Sequence, residues 1–202
     1  MGFFPFYTDI QGKACLIVGG GTVAARKAEK LLPFQPSITV VAPEICQAIR
    51  EMDGVQTVKR VFRDEDLTGT FMVIGATDDT ALNARISQLC RERRIPVNIV
   101  DQPALCSFYV PAIVRKEHIT ISISTEGESP LFARYLREKL EQELDADTLH
   151  IAALLSDCRK RIRTSSTEAG RKQILETLLR HCLDGDVPEE LHTFLKTYGR
   201  TP

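Results

Sequence analysis

Residues 14–28, ACLIVGGGTVAARKA, set a continuous apolar run against a glycine cluster and follow it with a stretch of helix formers. That order reads as a buried strand, a tight turn and a helix that folds back over the strand. Within it, Gly19-x-Gly21-x-x-Ala24 gives each small residue a task. Gly19 permits the turn, Gly21 lets a pyrophosphate approach the backbone, and Ala24 lets the helix pack closely on the strand. The helix N-terminus then offers unpaired N–H groups to phosphate. A dinucleotide is the expected ligand. No Gly-Lys-Ser/Thr follows the glycines, so a P-loop is not expected.

The pattern continues past this unit. Val23, Lys27/Ala28 and Leu31 fall at helical spacing before Pro33. ITVVA (38–42), FMVIGA (71–76) and IPVNIV (95–100) are further apolar runs, and VQTVKRVF (55–62) alternates like an edge strand. DDTALNARISQLCRERR supplies a helix with Leu82, Ile86 and Leu89 on one face and Asp78 and Asp79 at its positive end. Uncharged strands separated by amphipathic helices imply a parallel sheet covered on both sides. The expected fold class is therefore α/β: a Rossmann-like parallel sheet over residues 1–113, a small α+β segment over 114–145 and a helical region over 146–202.

In the second segment ITISIS (119–124) alternates strictly, which places Ile119, Ile121 and Ile123 toward a core and Thr120, Ser122 and Ser124 away from it. STEGESP then leads into LFARYLREKLEQEL, with Ser129 as N-cap and Pro130 at the first helical position. Ile151, Leu154 and Leu155 mark one tail helix, and Ile174, Leu175, Leu178 and Leu179 a second. Ser165 and Glu168 have capping-box spacing, and VPEELHTFLKTY reads as a short third helix.

Open α/β sheets bind ligands beyond the carboxyl ends of their strands. Those ends carry Gly19–Val23, Pro43-Glu44, Gly75-Ala76-Thr77-Asp78 and Asp101. Glu44 sits one or two places later than the acid that usually binds the adenosine ribose, and reads equally as a solvated turn residue. No Lys or Arg lies between 42 and 49 to pair with a 2′-phosphate, which favours NAD over NADP. Gly75 and Ala76 are small enough for a cofactor to lie against, and Thr77 can hydrogen-bond to it. Asn83 reaches back to this loop or faces solvent. Asp101 is the one ionisable side chain at the end of its strand and is suited to accept a substrate proton, although Asp-Gln-Pro is also ordinary turn chemistry. His118, His150, His181 and His192 all lie outside this domain. A second patch, Ser124 to Pro130 with Arg134 and Arg137 beyond it, combines hydroxyls, a glycine and basic residues that suit an anionic group. The same residues also read as a capped loop and a solvated face.

Composition narrows the rest. The chain has 202 residues, 26% of them charged, with a formal net charge of −1, so no field favours nucleic acid or an anionic membrane. No apolar run is long enough to span a bilayer, and the N-terminus lacks the features of a secretory signal or a myristoylation site. The six cysteines are dispersed, without a C-x-x-C or a Cys/His cluster. They read as buried thiols in a reducing cytoplasm, and no metal site is expected.

VGGGTVAARKAE, GATDD with the following Asn83, VNIVD, CSFYVPAIV and ISISTEGESPLFARYLREKLE occur in order over residues 1 to about 145. Together they resemble the precorrin-2 dehydrogenases of sirohaem synthesis, as stand-alone enzymes or as the N-terminal part of sirohaem synthase. The resemblance implies NAD-dependent oxidation of precorrin-2, a tetrapyrrole, to sirohydrochlorin. It also implies a homodimer built through 114–145 and cofactor contacts at Thr22, Val23, Pro43 and Glu44. Asp101 matches the aspartate tied to activity in the family, and Thr125 the hydroxyl residue lining the substrate side. Two positions depart from the family pattern: Gln102 stands where a second acid is common, and Glu126 where many members have glycine. Dehydrogenation is the expected activity. A bifunctional enzyme that also inserts iron transiently is the alternative, and a nucleotide-sensing module without catalysis a more remote one.

Overall fold

The computed structural model describes residues 4–163 and 167–184. Contacts divide the chain into two units, Met1–Val110 and Pro111–Pro202. Unit one contains β1 (Ala14–Val18), α1 (Thr22–Leu31), β2 (Ser37–Ala42), α2 (Gln47–Arg50), β3 (Val55–Lys59), β4 (Met72–Gly75), α3 (Thr80–Glu92) and β5 (Val97–Ile99). Its five strands are all parallel, in the order β3-β2-β1-β4-β5.

The uncharged runs follow from cover on both faces. Alternate residues of one strand enter different cores, since a strand turns successive side chains to opposite sides. Cys15 and Ile17 of β1 pack with Ala24, Ala25, Ala28 and Leu31 of α1 and Ile49 of α2, while Leu16 and Val18 pack with Ile86 and Cys90 of α3. Burial pushes the Cys15 and Cys90 thiols up to about 11, so both pack as small apolar groups. All six cysteines are free thiols. The alternating segment at 55–62 forms the edge strand β3, half-exposed as its pattern implies.

In α3 the buried stripe is Asn83, Ile86, Ser87 and Cys90, with Leu82 and Leu89 at its margin rather than at its centre. The helix is rotated because Asn83 and Ser87 find internal partners: Asn83 with Thr77, and Ser87 Oγ donating to the Leu105 carbonyl at 2.7 Å. Asp79 caps α3, accepting from the amides of Ala81 and Leu82 at 3.0 Å each.

Unit two contains β6 (Ala112–Lys116), β7 (Ile119–Ile123), α4 (Pro130–Glu143), α5 (Ala146–Ile162) and α6 (Glu168–Asp184). β6 and β7 form an antiparallel pair. All five residues of β7 are half-buried, so the clean inside–outside alternation expected for this strand is not realised. Ser129 holds the N-cap position of α4 without a capping hydrogen bond from its side chain; Thr125 Oγ1 instead accepts from the Ser129 amide at 3.2 Å. At the other end of α4, the Lys116 ammonium donates to the carbonyls of Glu141 and Leu144 at 2.6 and 2.7 Å. Cys158 and Ile162 of α5 pack on Leu178 of α6, with Leu155, Ile174 and Leu175 around them. Ser165 of the expected capping box and the expected 187–198 helix lie outside the described residues. Among the described residues no helix is long and apolar enough to cross a membrane.

Candidate dinucleotide site and carboxyl edge of the sheet

Because the five strands are parallel, the residues that follow β1, β2, β4 and β5 gather along one edge of unit one. Gly19, Gly21, Thr22, Val23, Pro43, Glu44, Ala76, Thr77 and Asp101 all belong to that edge.

The glycine loop is held by backbone. The Gly19 amide donates to the Val41 carbonyl at 3.0 Å, Ala76 N–H to the Val18 carbonyl at 2.7 Å, and Cys46 N–H to the Gly20 carbonyl at 2.8 Å. A Cβ on Gly19, which has φ +123°, would strike the Ala76 carbonyl, and one on Gly20 would strike the Glu44 carbonyl. Gly20 is thus as constrained as Gly19, although it lies outside the fingerprint spacing. Gly21 differs. Its φ of −86° suits any residue, and a Cβ there would meet nothing within 4 Å. It leads into α1, whose first turn carries no acid and whose N-cap makes no side-chain hydrogen bond. Open ground before uncapped helical N–H groups fits a pyrophosphate. Ala24 is fully buried beneath the loop, as close packing of α1 on β1 requires.

Pro43 and Glu44 are exposed beyond β2, while Ala42 and Ile45 on either side are buried. Beyond β4, Asn83 reaches back to the loop. Its Nδ2 donates to the Thr77 carbonyl at 2.8 Å, and Thr77 Oγ1 lies 2.8 Å from Asn83 Oδ1 and 3.1 Å from the Asp79 carbonyl. The Thr77 hydroxyl proton is therefore engaged inside its own loop.

Asp101 follows β5, exposed and with φ +57°, a left-handed conformation that Asp tolerates better than most residues. The segment after it doubles back along β5: Ser107 exchanges hydrogen bonds with Val97, and Cys106 Sγ lies 3.2 Å from both the amide and the carbonyl of Ile99. Buried Asn98 donates to the Phe108 carbonyl at 3.0 Å and accepts from Lys27 of α1 at 3.5 Å. Lys27, Asn98 and Cys106 were not legible as site residues. The α1 periodicity showed only that Lys27 stands on the helix face turned toward the sheet.

The remaining expected residues belong to unit two. Ser124 Oγ accepts from the Glu126 amide at 3.1 Å and Thr125 Oγ1 from Ser129, in a loop where Glu126 and Gly127 have φ of +55° and +89°. Arg137 pairs with Glu141 at 2.6 Å and Glu138 at 3.2 Å, and Arg134 with Glu138 at 3.9 Å. Any anion received there competes with these carboxylates.

Residues 6–112 match the family described as "Putative NAD(P)-binding", and residues 116–143 the one described as "Sirohaem biosynthesis protein central". The siroheme synthase of Thioalkalivibrio sulfidiphilus is 41% identical over 89% of this chain, and that of Nitrosospira multiformis 38% identical over 89%. The chain spans 37% and 40% of the length of these two relatives. Among solved structures, SirC, a precorrin-2 dehydrogenase, superposes with a TM-score of 0.77 at 25% identity, covering 98% of this chain and all of that one.

Proposed function

The chain belongs to the family described as "Putative NAD(P)-binding" and carries a sirohaem biosynthesis central segment at 116–143, and from that premise we propose that it oxidises precorrin-2 to sirohydrochlorin with NAD as the hydride acceptor. The observation that carries this reading is the shared edge: the open ground at Gly21 and the exposed carboxylate of Asp101 follow strands of one parallel sheet.

Gly19, Gly21, Thr22 and Val23 would hold the pyrophosphate, Pro43 and Glu44 the adenosine ribose, and Ala76 and Thr77 the backbone wall beside the nicotinamide. Glu44 would repel a 2′-phosphate, and the absence of Lys and Arg from 42–49 supports NAD over NADP. Bound NAD supplies an acceptor for two electrons as hydride. Removing two hydrogens from the tetrapyrrole also releases a proton, which Asp101 accepts as general base. Asp101 meets that need without a competing imidazole in unit one, since the first histidine is His118. Ser124, Thr125, Arg134 and Arg137 would meet the substrate's carboxylates.

Assembly as a homodimer through 114–145, and a cytoplasmic location, belong to the same reading. Leu131, Phe132 and Tyr135 of α4 are 67%, 52% and 55% exposed, an apolar row within that segment that suits a second copy. Light scattering on the purified protein tests the dimer.

The activity test is anaerobic incubation with precorrin-2 and NAD, followed by NADH absorbance. NADH formed together with sirohydrochlorin supports the proposal. NAD binding without turnover returns the protein to the nucleotide-sensing reading.

A further inference from the structure

Arg26, Glu29 and Lys30 of α1 are exposed, as charged residues on a helix over a sheet ordinarily are. Lys27 departs from them. It is half-buried, and its ammonium reaches past β4 to Asn98 on β5, two strands from the β1 that α1 follows. Among the described residues Lys27 has no ion pair to offset its desolvation. Burial first, then the charge of Lys30, makes it hold its proton less tightly than an ordinary lysine; Cys106 and Asp101 oppose that, and Arg26 adds to it. Burial also pushes the Cys106 thiol up, and the Asp101 side chain acts on Lys27 in the sense that favours the charged ammonium.

The contact continues toward Asp101. Lys27 only donates and the Phe108 carbonyl only accepts, so the orientation of the Asn98 amide is fixed by chemistry: Oδ1 to Lys27, Nδ2 to Phe108. The same Nδ2 lies 3.5 Å from Cys106 Sγ. Cys106 Sγ in turn touches the Ile99 amide and carbonyl at 3.2 Å and the Gln102 carbonyl at 3.5 Å. Ile99 and Gln102 bracket Asp101, which takes its left-handed φ of +57° within this turn.

We infer that Lys27 is a positioning residue: by fixing Asn98 it locks the turn after β5 and holds the Asp101 carboxylate, with a compensating positive charge nearby, in the place where it takes the substrate proton. This rests on the reading of Asp101 as general base. It assigns Lys27 no contact with substrate or cofactor.

The test compares Lys27→Met, which keeps length and loses the ammonium, with Asn98→Ala and the double variant, all as full-length protein. Two readouts are taken. The first is steady-state oxidation of precorrin-2. Lys27→Met is expected to lower kcat by about tenfold or more, with KM for NAD and for precorrin-2 within about twofold, and the double variant is expected to be no slower than the slower single one. The second is amide hydrogen exchange of residues 97–108 in the protein without ligand, which is expected to quicken in Lys27→Met while β1 and β2 exchange as in the wild type. Wild-type kcat, independent effects of the two substitutions, or a raised KM for precorrin-2 with kcat intact would each overturn the positioning role. If the wild-type protein forms no NADH, the dehydrogenase reading fails on its own. Hydrogen exchange then still decides whether Lys27 locks the turn, unchanged exchange being the outcome that refutes it.

Discussion

Gly20 and Gly21 are neighbours with opposite expectations. A Cβ on Gly20 must push the Glu44 carbonyl aside, so Gly20→Ala is expected to cost about 1–3 kcal/mol of stability. Gly21→Ala adds a methyl to open space at an ordinary φ, and stability should stay within about 0.5 kcal/mol. That methyl occupies the ground assigned to the pyrophosphate, so NAD affinity should fall by about tenfold or more, a loss of about 1.4 kcal/mol. Thermal unfolding and NAD titration of both variants check the pair, and unchanged NAD affinity in Gly21→Ala counts against the assignment. Lys27 adds an expectation of definite sign. Its folded pKa is lowered, chiefly by burial, so the charged lysine weakens the fold at every pH below that folded value. The penalty lifts as pH rises toward and through the ordinary value of 10.5. Wild-type stability relative to Lys27→Met should therefore rise between neutral and alkaline pH, as read by denaturant unfolding; a difference that stays constant with pH speaks against it.

α3 and the loop before it behave as one device. Asn83 is buried and joins the helix to the Thr77 carbonyl, so Asn83→Ala leaves an acceptor without its donor, a loss of about 1–3 kcal/mol. Asn83→Asp keeps the shape but cannot donate and should cost at least as much by the same unfolding assay. Unchanged stability in both would remove Asn83 as the anchor. This element also marks what periodicity conveys. Uncharged runs placed β1, β2, β4 and β5, since cover on both faces leaves no room for polar alternation, while alternation placed the half-exposed edge strand β3. Periodicity misjudged the inner face of α3 because Leu82 and Leu89 outrank Asn83 and Ser87 in hydrophobicity, while the structure satisfies the two polar groups internally. A strand-to-loop hydrogen bond leaves no trace in spacing. For the same reason Asn98 and Cys106 could not be read as the frame around Asp101, and Gly20 was hidden because its constraint comes from Glu44, on a different loop.

Taken whole, the chain carries a nucleotide-binding unit whose edge was readable from one glycine loop and a few strand ends, and a second unit whose role rests on its resemblance to sirohaem proteins. In that second unit Arg134 and Arg137 are tied to Glu138 and Glu141, so their capacity to receive carboxylates depends on exchanging partners. Arg134 and Glu138 are exposed and Arg137 is half-buried; pairs on one helix surface of this kind are worth only about 0–1 kcal/mol, which makes the exchange inexpensive. Charge reversal at Arg137 is accordingly expected to raise KM for precorrin-2 while leaving NAD affinity unchanged. In the proposed NAD-dependent oxidation of precorrin-2, Asp101 takes the proton. Asp101→Asn is the variant to use, because Asn tolerates the left-handed conformation as well as Asp does. Anaerobic NADH formation from precorrin-2 should fall by about 10²–10⁴-fold in kcat, with NAD affinity and unfolding midpoint unchanged. Turnover at the wild-type rate by Asp101→Asn would contradict the account.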